Sequence, residues 1–198
     1  MIRAAICTDP SLRLHPVQSV VARRMLRRTL ARCGAPDADV RLVANSFGRP
    51  ALAGRECLQV SIAHCEGAVL VAAADARIGV DVERVRPHDH WAEARMLQPP
   101  ESAEVADAAD PDREFFCYWT VKESYVKALG VGLSYPVKRL RVTFDPDERA
   151  PRLNRPNTAL WLDEACAGLV LAFCCLHADP AESVVTERVR LSELEDRP

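Results

Sequence analysis

The chain contains no apolar run near the ~18 residues that a membrane span requires. Its longest apolar stretch, around Gly168 to Leu176, has the length of a core strand. Neither charge sign dominates: 26 Lys and Arg against 28 Asp and Glu leave a net charge of −2, which argues against a general nucleic-acid coat. Turn formers are not in surplus. Eight Gly and 14 Pro in 198 residues exclude a collagen-like or low-complexity chain. The eight cysteines lack any C-x-x-C spacing and sit mostly inside apolar runs, so they read as small hydrophobes rather than metal ligands or a disulfide framework. The opening MIRAAICTDP is too short and too quickly polar for a secretory signal. These absences predict a cytoplasmic protein with neither a membrane nor a nucleic-acid partner.

What is present is ordinary for a globular protein: 48% apolar and 27% charged residues. The length allows one large domain or two small ones of roughly 100 residues. Residues 2–7 predict a strand, and a helix follows from His15-Pro16 to Gly34, with Pro16 in its tolerated first turn. Val17, Val21, Leu26, Leu30 and Cys33 form its apolar stripe, and Arg23, Arg24, Arg27, Arg28 and Arg32 its charged face. Val40 to Ala44 predicts a strand, NSFGRP at 45–50 a loop, and 57–63 with 68–74 a strand pair around Glu66-Gly67. A strand at 77–84 leads to two short helices within 91–109, broken at Pro99-Pro100, and then to a strong helix from Arg113 to Leu129. Val137 to Phe144 predicts a strand, 145–158 a loop, and Leu160 to Leu162 with Gly168 to Leu176 a final pair. Ser183 to Val189 adds a short strand, and SELE at 192–195 has capping-box spacing. Helix, strand, strand, strand thus recurs as helix, strand, strand. The expected class is α+β, with two similar halves: 1–76 as an N-terminal lobe and 77–198 as a C-terminal one.

The chemistry concentrates in the second half. Asp81 and Glu83 are two apart on a predicted strand, so both carboxylates face one side while Val80 and Val82 face the other. Paired acids repel unless a cation, a proton or solvent relieves them, and for D-x-E alone a wetted strand face is the simpler reading. On the long helix Glu123 and Lys127 share a face at i, i+4, a spacing that on a surface is worth roughly 0.2–0.5 kcal/mol. That helix also carries Phe115, Phe116, Tyr118, Trp119 and Tyr125, which implies burial around much of its circumference. Buried charges need partners. Asp81, Glu83 and Glu123 together form an oxygen set suited to a hard divalent cation such as Mg²⁺, which keeps some waters and completes its shell with substrate phosphates. The chemistry expected of such a set is displacement on a phosphate or pyrophosphate, with Lys127 offsetting charge on the phosphoryl oxygens.

WTVKESYVK at 119–127, followed by GVGLSYP, resembles the W-[ST]-x-K-E-[SA]-x-x-K signature of 4′-phosphopantetheinyl transferases. IGVDVE at 78–83 resembles that family's [IV]-G-[IV]-D-[IV]-E signature. FGRP at 47–50 and SIAHC at 61–65 resemble its Y-G-K-P and N-I-S-H-S elements, and LVLAFCCLHAD at 169–179 its closing strand. The length suits the single-chain, two-lobed Sfp-type branch, whose lobes are related by pseudo-twofold symmetry, so a monomer would suffice. The resemblance implies transfer of 4′-phosphopantetheine from coenzyme A to a serine of an apo acyl or peptidyl carrier protein, with release of adenosine 3′,5′-bisphosphate. It implies that Asp81, Glu83 and Glu123 hold Mg²⁺ and that Lys127 touches the phosphates; Glu123, another carboxylate or a water is left to take the serine proton. By the same resemblance, Arg49 and His64 would contact coenzyme A phosphate or adenine groups. Glu101 would add an acid near the site, and Trp119 and Lys122 would shape the pocket along the pantetheine path. Two positions depart from the pattern: Ala63 stands where the family often has Ser, and Gln18 where a basic residue is usual. The Arg23–Arg32 face is a candidate docking surface for an acidic carrier. The fatty-acid, polyketide and nonribosomal-peptide classes of carrier are left open. A Mg²⁺-dependent nucleotide pyrophosphate hydrolase and a non-catalytic coenzyme A-binding module are the rival readings.

Overall fold

A computed structural model describes residues 2–35, 41–164, 166–177 and 183–194. Val40, Ala178, Asp179 and Glu195, which end segments singled out above, lie outside the described residues. In chain order the elements are β1 (Ile2–Thr8), α1 (His15–Arg32), β2 (Leu42–Ala44), β3 (Pro50–Leu52), β4 (Gln59–Cys65), β5 (Ala68–Ala74) and β6 (Arg77–Arg84). Then come α2 (His90–Met96), α3 (Pro99–Asp107), α4 (Pro111–Leu129), β7 (Val142–Phe144), β8 (Pro151–Leu153), β9 (Thr158–Asp163), β10 (Leu169–Leu176) and β11 (Val184–Arg188).

Two sheets lie face to face. One runs β11-β1-β5-β4 and the other β6-β10-β9. Period-two alternation builds the layers. Leu70 and Ala72 of β5 meet Val80 and Val82 of β6 and Leu171 and Phe173 of β10 in a core between the sheets. Val69, Val71 and Ala73 point the other way and bury α1 through Val21, Met25 and Leu26. Val170 and Ala172 likewise face Phe115, Phe116 and Val121 of α4. The result is helix, sheet, sheet, helix. Both central strands, β5 and β10, are buried along their whole length, as expected of strands covered on both faces.

The two halves repeat one topology. A strand, a helix, a two-stranded ribbon and an antiparallel pair give sheet order β1-β5-β4 with α1 and β2-β3 in the first half. The same series gives β6-β10-β9 with α4 and β7-β8 in the second. Three expectations need correction. Val137 to Phe144 is not one strand: Val137–Arg139 is a 3₁₀ turn, and only Val142–Phe144 pairs, with Pro151–Leu153 from the expected loop. In the α1 stripe Val17 is exposed and Met25 is buried in its place. The last strand, β11, does not stay with the C-terminal half; it adds to β1 in parallel at the edge of the first sheet.

That crossover also engages three of the five arginines on the charged face of α1, while Arg23 and Arg27 stay exposed. Arg28 reaches Glu187 at 2.7 Å and Glu193 at 3.1 Å, Arg32 pairs with Glu187, and Arg24 donates to the Leu194 carbonyl at 2.9 Å. Arg24, Arg28 and Arg32 therefore hold the C-terminal segment and are not a bare surface awaiting a carrier.

Candidate functional site

α4 starts cleanly because the Asp110 side chain accepts from Arg113 N at 3.0 Å and Pro111 occupies its first turn. It stops at Gly130, whose φ of 73° gives the left-handed cap. Between these ends the helix lies against β6, and Gly79 permits the close approach. A Cβ on Gly79 would fall closer than 3.0 Å to the Ser124 carbonyl oxygen and the Ala128 amide nitrogen, both backbone atoms. Because Val80 and Val82 are committed to the inter-sheet core, Asp81 and Glu83 face the α4 side. The wetted-strand reading of D-x-E is thereby excluded, for Asp81 is only 5% exposed.

The helix brings Glu123 and Lys127 to those acids. Lys127 Nζ lies 2.6 Å from Asp81 Oδ1, and Asp81 Oδ2 is buried with no hydrogen-bond partner. Burial, then the Asp81 charge, pushes the Glu83 carboxyl up. The same two causes push Glu123 up to about 6, with Lys127 opposing and Glu83 adding. Arg86 offsets part of the charge at 3.0 Å from Glu83. Asp81, Glu83 and Glu123, distant along the chain, thus lie within reach of one another's charge. Among the described residues no three His, Cys, Asp or Glu side chains are gathered into a group that could hold a metal ion. The donor set still suits a hard cation: all the acids offer oxygen, they repel one another, and one buried oxygen is unsatisfied.

The raised Glu123 pKa carries a stability consequence with a definite sign. Its folded value of about 6 exceeds the ordinary 4.5. Folding therefore favours the protonated form, and the stability it contributes is complete below pH 4.5 and lost as pH rises through 6. With allowance for partial exposure, the loss is about 1–2 kcal/mol. Glu123→Gln in the cation-free protein is expected to raise the melting temperature by about 3–6 °C at pH 8 and to leave it unchanged at pH 4. Thermal scans at the two pH values check this.

The other wall comes from the N-terminal half. Asn45 Oδ1 accepts from the backbone of Phe47 at 2.9 Å and Arg49 at 2.8 Å, fixing a tight turn. Its Nδ2 donates to the Gly130 carbonyl at 3.0 Å, which docks that turn on the end of α4. Arg49 packs beneath, its Nη2 3.1 Å from Gln59 Oε1 and its Nε buried without a partner. Ser61 Oγ accepts from Val80 N at 3.0 Å and ties β4 to β6. Between these walls is a cavity of about 240 Å³ lined by Arg49, Ser61, Glu123 and Lys127. His64, on the exposed side of β4, stacks edge-on against His15 at 4.9 Å. Partial desolvation, His15 and Lys127 hold its imidazole below the usual range. A second cavity of about 540 Å³ on the far side of Glu123 is lined by Trp91, Met96, Trp119, Tyr135 and Lys138.

Two expected site residues are elsewhere. Lys122 and Glu101 form a fully buried ion pair at 2.5 Å. Lys122 also donates to the Met96 carbonyl at 2.7 Å, and Glu101 accepts from Val142 N at 2.8 Å and Gln98 N at 2.7 Å. The pair locks α3 and β7 onto α4, so these two side chains build the wall behind Trp119 and do not face a ligand. Gln18 is structural too, donating to the carbonyls of Leu12 at 2.9 Å and Cys65 at 2.8 Å. Gly79, Asn45, Ser61 and Arg86 gain roles that the sequence alone does not assign, although Gly79 stands inside IGVDVE, Ser61 opens SIAHC and Asn45 opens NSFGRP. The cysteines are all free, and burial pushes the thiols of Cys7 and Cys65 up to about 11 and about 12, which keeps those two protonated near neutral pH.

A model of the 4′-phosphopantetheinyl transferase superfamily matches residues 77–174, the segment carrying both acidic strands and α4. A 4′-phosphopantetheinyl transferase of Bacillus subtilis is 27% identical over 66% of this chain and 59% of its own length. Sfp of Bacillus subtilis strain 168, also a 4′-phosphopantetheinyl transferase, is 26% identical over 74% of this chain and 67% of its own. The chain thus spans about three-fifths to two-thirds of the length of these two relatives. A solved holo-[acyl-carrier-protein] synthase from Neisseria meningitidis superposes with a TM-score of 0.44 at 20% identity, covering 51% of this chain and 97% of that one. This chain is similar to 4′-phosphopantetheinyl transferases, Sfp among them.

Proposed function

We propose that the protein transfers the 4′-phosphopantetheine group of coenzyme A to a serine hydroxyl of an apo acyl or peptidyl carrier protein. The observation that carries this reading is that Glu123 and Lys127 line a cavity with Arg49 while Lys127 pairs with Asp81 and Glu123 lies in the field of Asp81 and Glu83. A diphosphate ester is strongly anionic, and Arg49 and Lys127 are the cations that line that space. The buried, unpartnered Arg49 Nε gives an anion a donor to satisfy. Asp81, Glu83 and Glu123 would hold Mg²⁺, which when bound supplies charge neutralisation at the pyrophosphate.

In the reaction the serine oxygen forms a bond to the β-phosphorus, and the bond from that phosphorus to the bridging oxygen breaks. Adenosine 3′,5′-bisphosphate leaves with the electron pair. A serine hydroxyl is a weak nucleophile and its proton must go to a base. Glu123 would take it through the carboxylate oxygen that the cation leaves free. It borders both cavities, the cationic one suited to the donor and the aromatic one suited to the approaching acceptor. Lys127 offsets charge on the phosphoryl oxygens. One chain supplies both walls, so a second copy is not required.

The test is to incubate the protein with coenzyme A, Mg²⁺ and an apo carrier and to weigh the carrier by mass spectrometry. The expected result is a mass gain of one phosphopantetheine that EDTA prevents. Phosphate-containing products without carrier modification would mean a hydrolase. Binding of coenzyme A with no turnover would mean a binding module.

A further inference from the structure

Lys127 is committed twice. Its ammonium is 2.6 Å from Asp81 Oδ1, with Asp81 only 7% exposed, yet it also lines the cavity shared with Arg49. One of its three donors is held by Asp81, so an anion there competes with Asp81 for the same ammonium charge. Lys127 cannot leave Asp81 at no cost, because Asp81 Oδ2 already lacks a partner and an unpaired buried carboxylate is costly. The groups facing this point are Asp81 and Glu83 from β6, Glu123 and Lys127 from α4, Arg86 beyond β6 and His64 from β4. Arg86 is taken by Glu83 at 3.0 Å, which leaves Lys127 as the cation on Asp81.

We propose that Lys127 is the resident counter-cation of the acid cluster and exchanges places with a divalent cation on Asp81, swinging into the Arg49 cavity when that cation arrives. The lysine stem is long and flexible, and at 34% exposure its end has room to move. Before exchange the Lys127 charge at the edge of the anion cavity is offset by Asp81; after it, the cavity has two uncompensated positive side chains. Cation binding and anion binding are thereby coupled through one side chain, each favouring the other. This inference rests on the ligand assignment made under Proposed function, and its test separates the two.

The experiment uses the full chain with isotope-labelled lysine and magnesium chloride alone, with no coenzyme A. The Lys127 ammonium resonance is assigned by its absence from Lys127→Met. In the cation-free protein it is expected to be protected from exchange with water, and in Asp81→Asn that protection is expected to be absent. Saturating Mg²⁺ is expected to abolish the protection in the unaltered protein, and calorimetry is expected to show Lys127→Met binding Mg²⁺ about three- to tenfold more tightly. A protected ammonium that persists while calorimetry shows Mg²⁺ bound would overturn the exchange and leave the ligand assignment standing. Absence of Mg²⁺ binding to either protein would overturn the exchange, while the ligand assignment, made for a cation that substrate phosphates also hold, stands or falls with the EDTA arm of the transfer assay.

Discussion

Asp81→Asn is expected to fold normally and to lose phosphopantetheine transfer by about a hundredfold or more. Folding should survive because the substitution deletes a charge that is already poorly accommodated. Asp81 Oδ2 has no partner, and the Lys127 ammonium released by the change is exposed enough to reach water. The loss of transfer follows from the position of Asp81, which is the most buried of the three converging acids and is in contact with Lys127. A second readout is independent of activity. After burial, the Asp81 charge is the largest cause holding the Glu123 carboxyl at about 6, so removing it should bring Glu123 down toward 4.5. A carboxyl-carbon NMR titration follows this directly. A Glu123 midpoint that stays at about 6 would show that the two side chains do not share a field.

The second large effect is expected at Gly79. A methyl group there collides with the backbone of α4 at Ser124 and Ala128, and a backbone cannot rotate out of the way as a side-chain tip can. Helix and strand must separate, at a cost of about 3 kcal/mol, or about 6–12 °C in melting temperature. The same separation pulls Glu123 and Lys127 away from Asp81 and Glu83. Gly79→Ala should therefore lose transfer even at temperatures where it remains folded, since a misplacement of about 1 Å at a reacting site can cost about a hundredfold. Transfer near the unaltered rate in a folded Gly79→Ala protein would mean that this contact does not set the site.

The sequence carried what depends on local period. Alternation in IGVDVE put Val80 and Val82 in the core and both acids on one face, and the structure agrees. The i, i+4 relation of Glu123 and Lys127 likewise survives, and the aromatic content of α4 does reflect burial. Contacts between distant segments were not legible. The run from Val137 to Phe144 has strand composition, but its first part turns as 3₁₀ while only the last part finds a partner, in a segment whose prolines and charges suggested a loop. Lys122 sits beside Glu123 in the motif, and only the rotation of one residue on a helix sends it inward to Glu101 instead of toward the cleft. The arginines of α1 looked like an open surface because their partners, Glu187 and Glu193, are far along the chain. Gly79 was visible as a letter in a motif, but its reason, the approach of a helix backbone, belongs to the packed structure.

Pairing of β11 with β1 also sets an order of events during synthesis. The first half can form its helix and its β1-β5-β4 ladder early, but the outer edge of β1 stays open until the last strand has left the ribosome. Until then it offers a row of unsatisfied amides and carbonyls to any other nascent chain. Glu187 and Glu193, arriving with that strand, meet arginines already in place on α1, so the final closure is drawn home by opposite charge as well as by the ladder it completes.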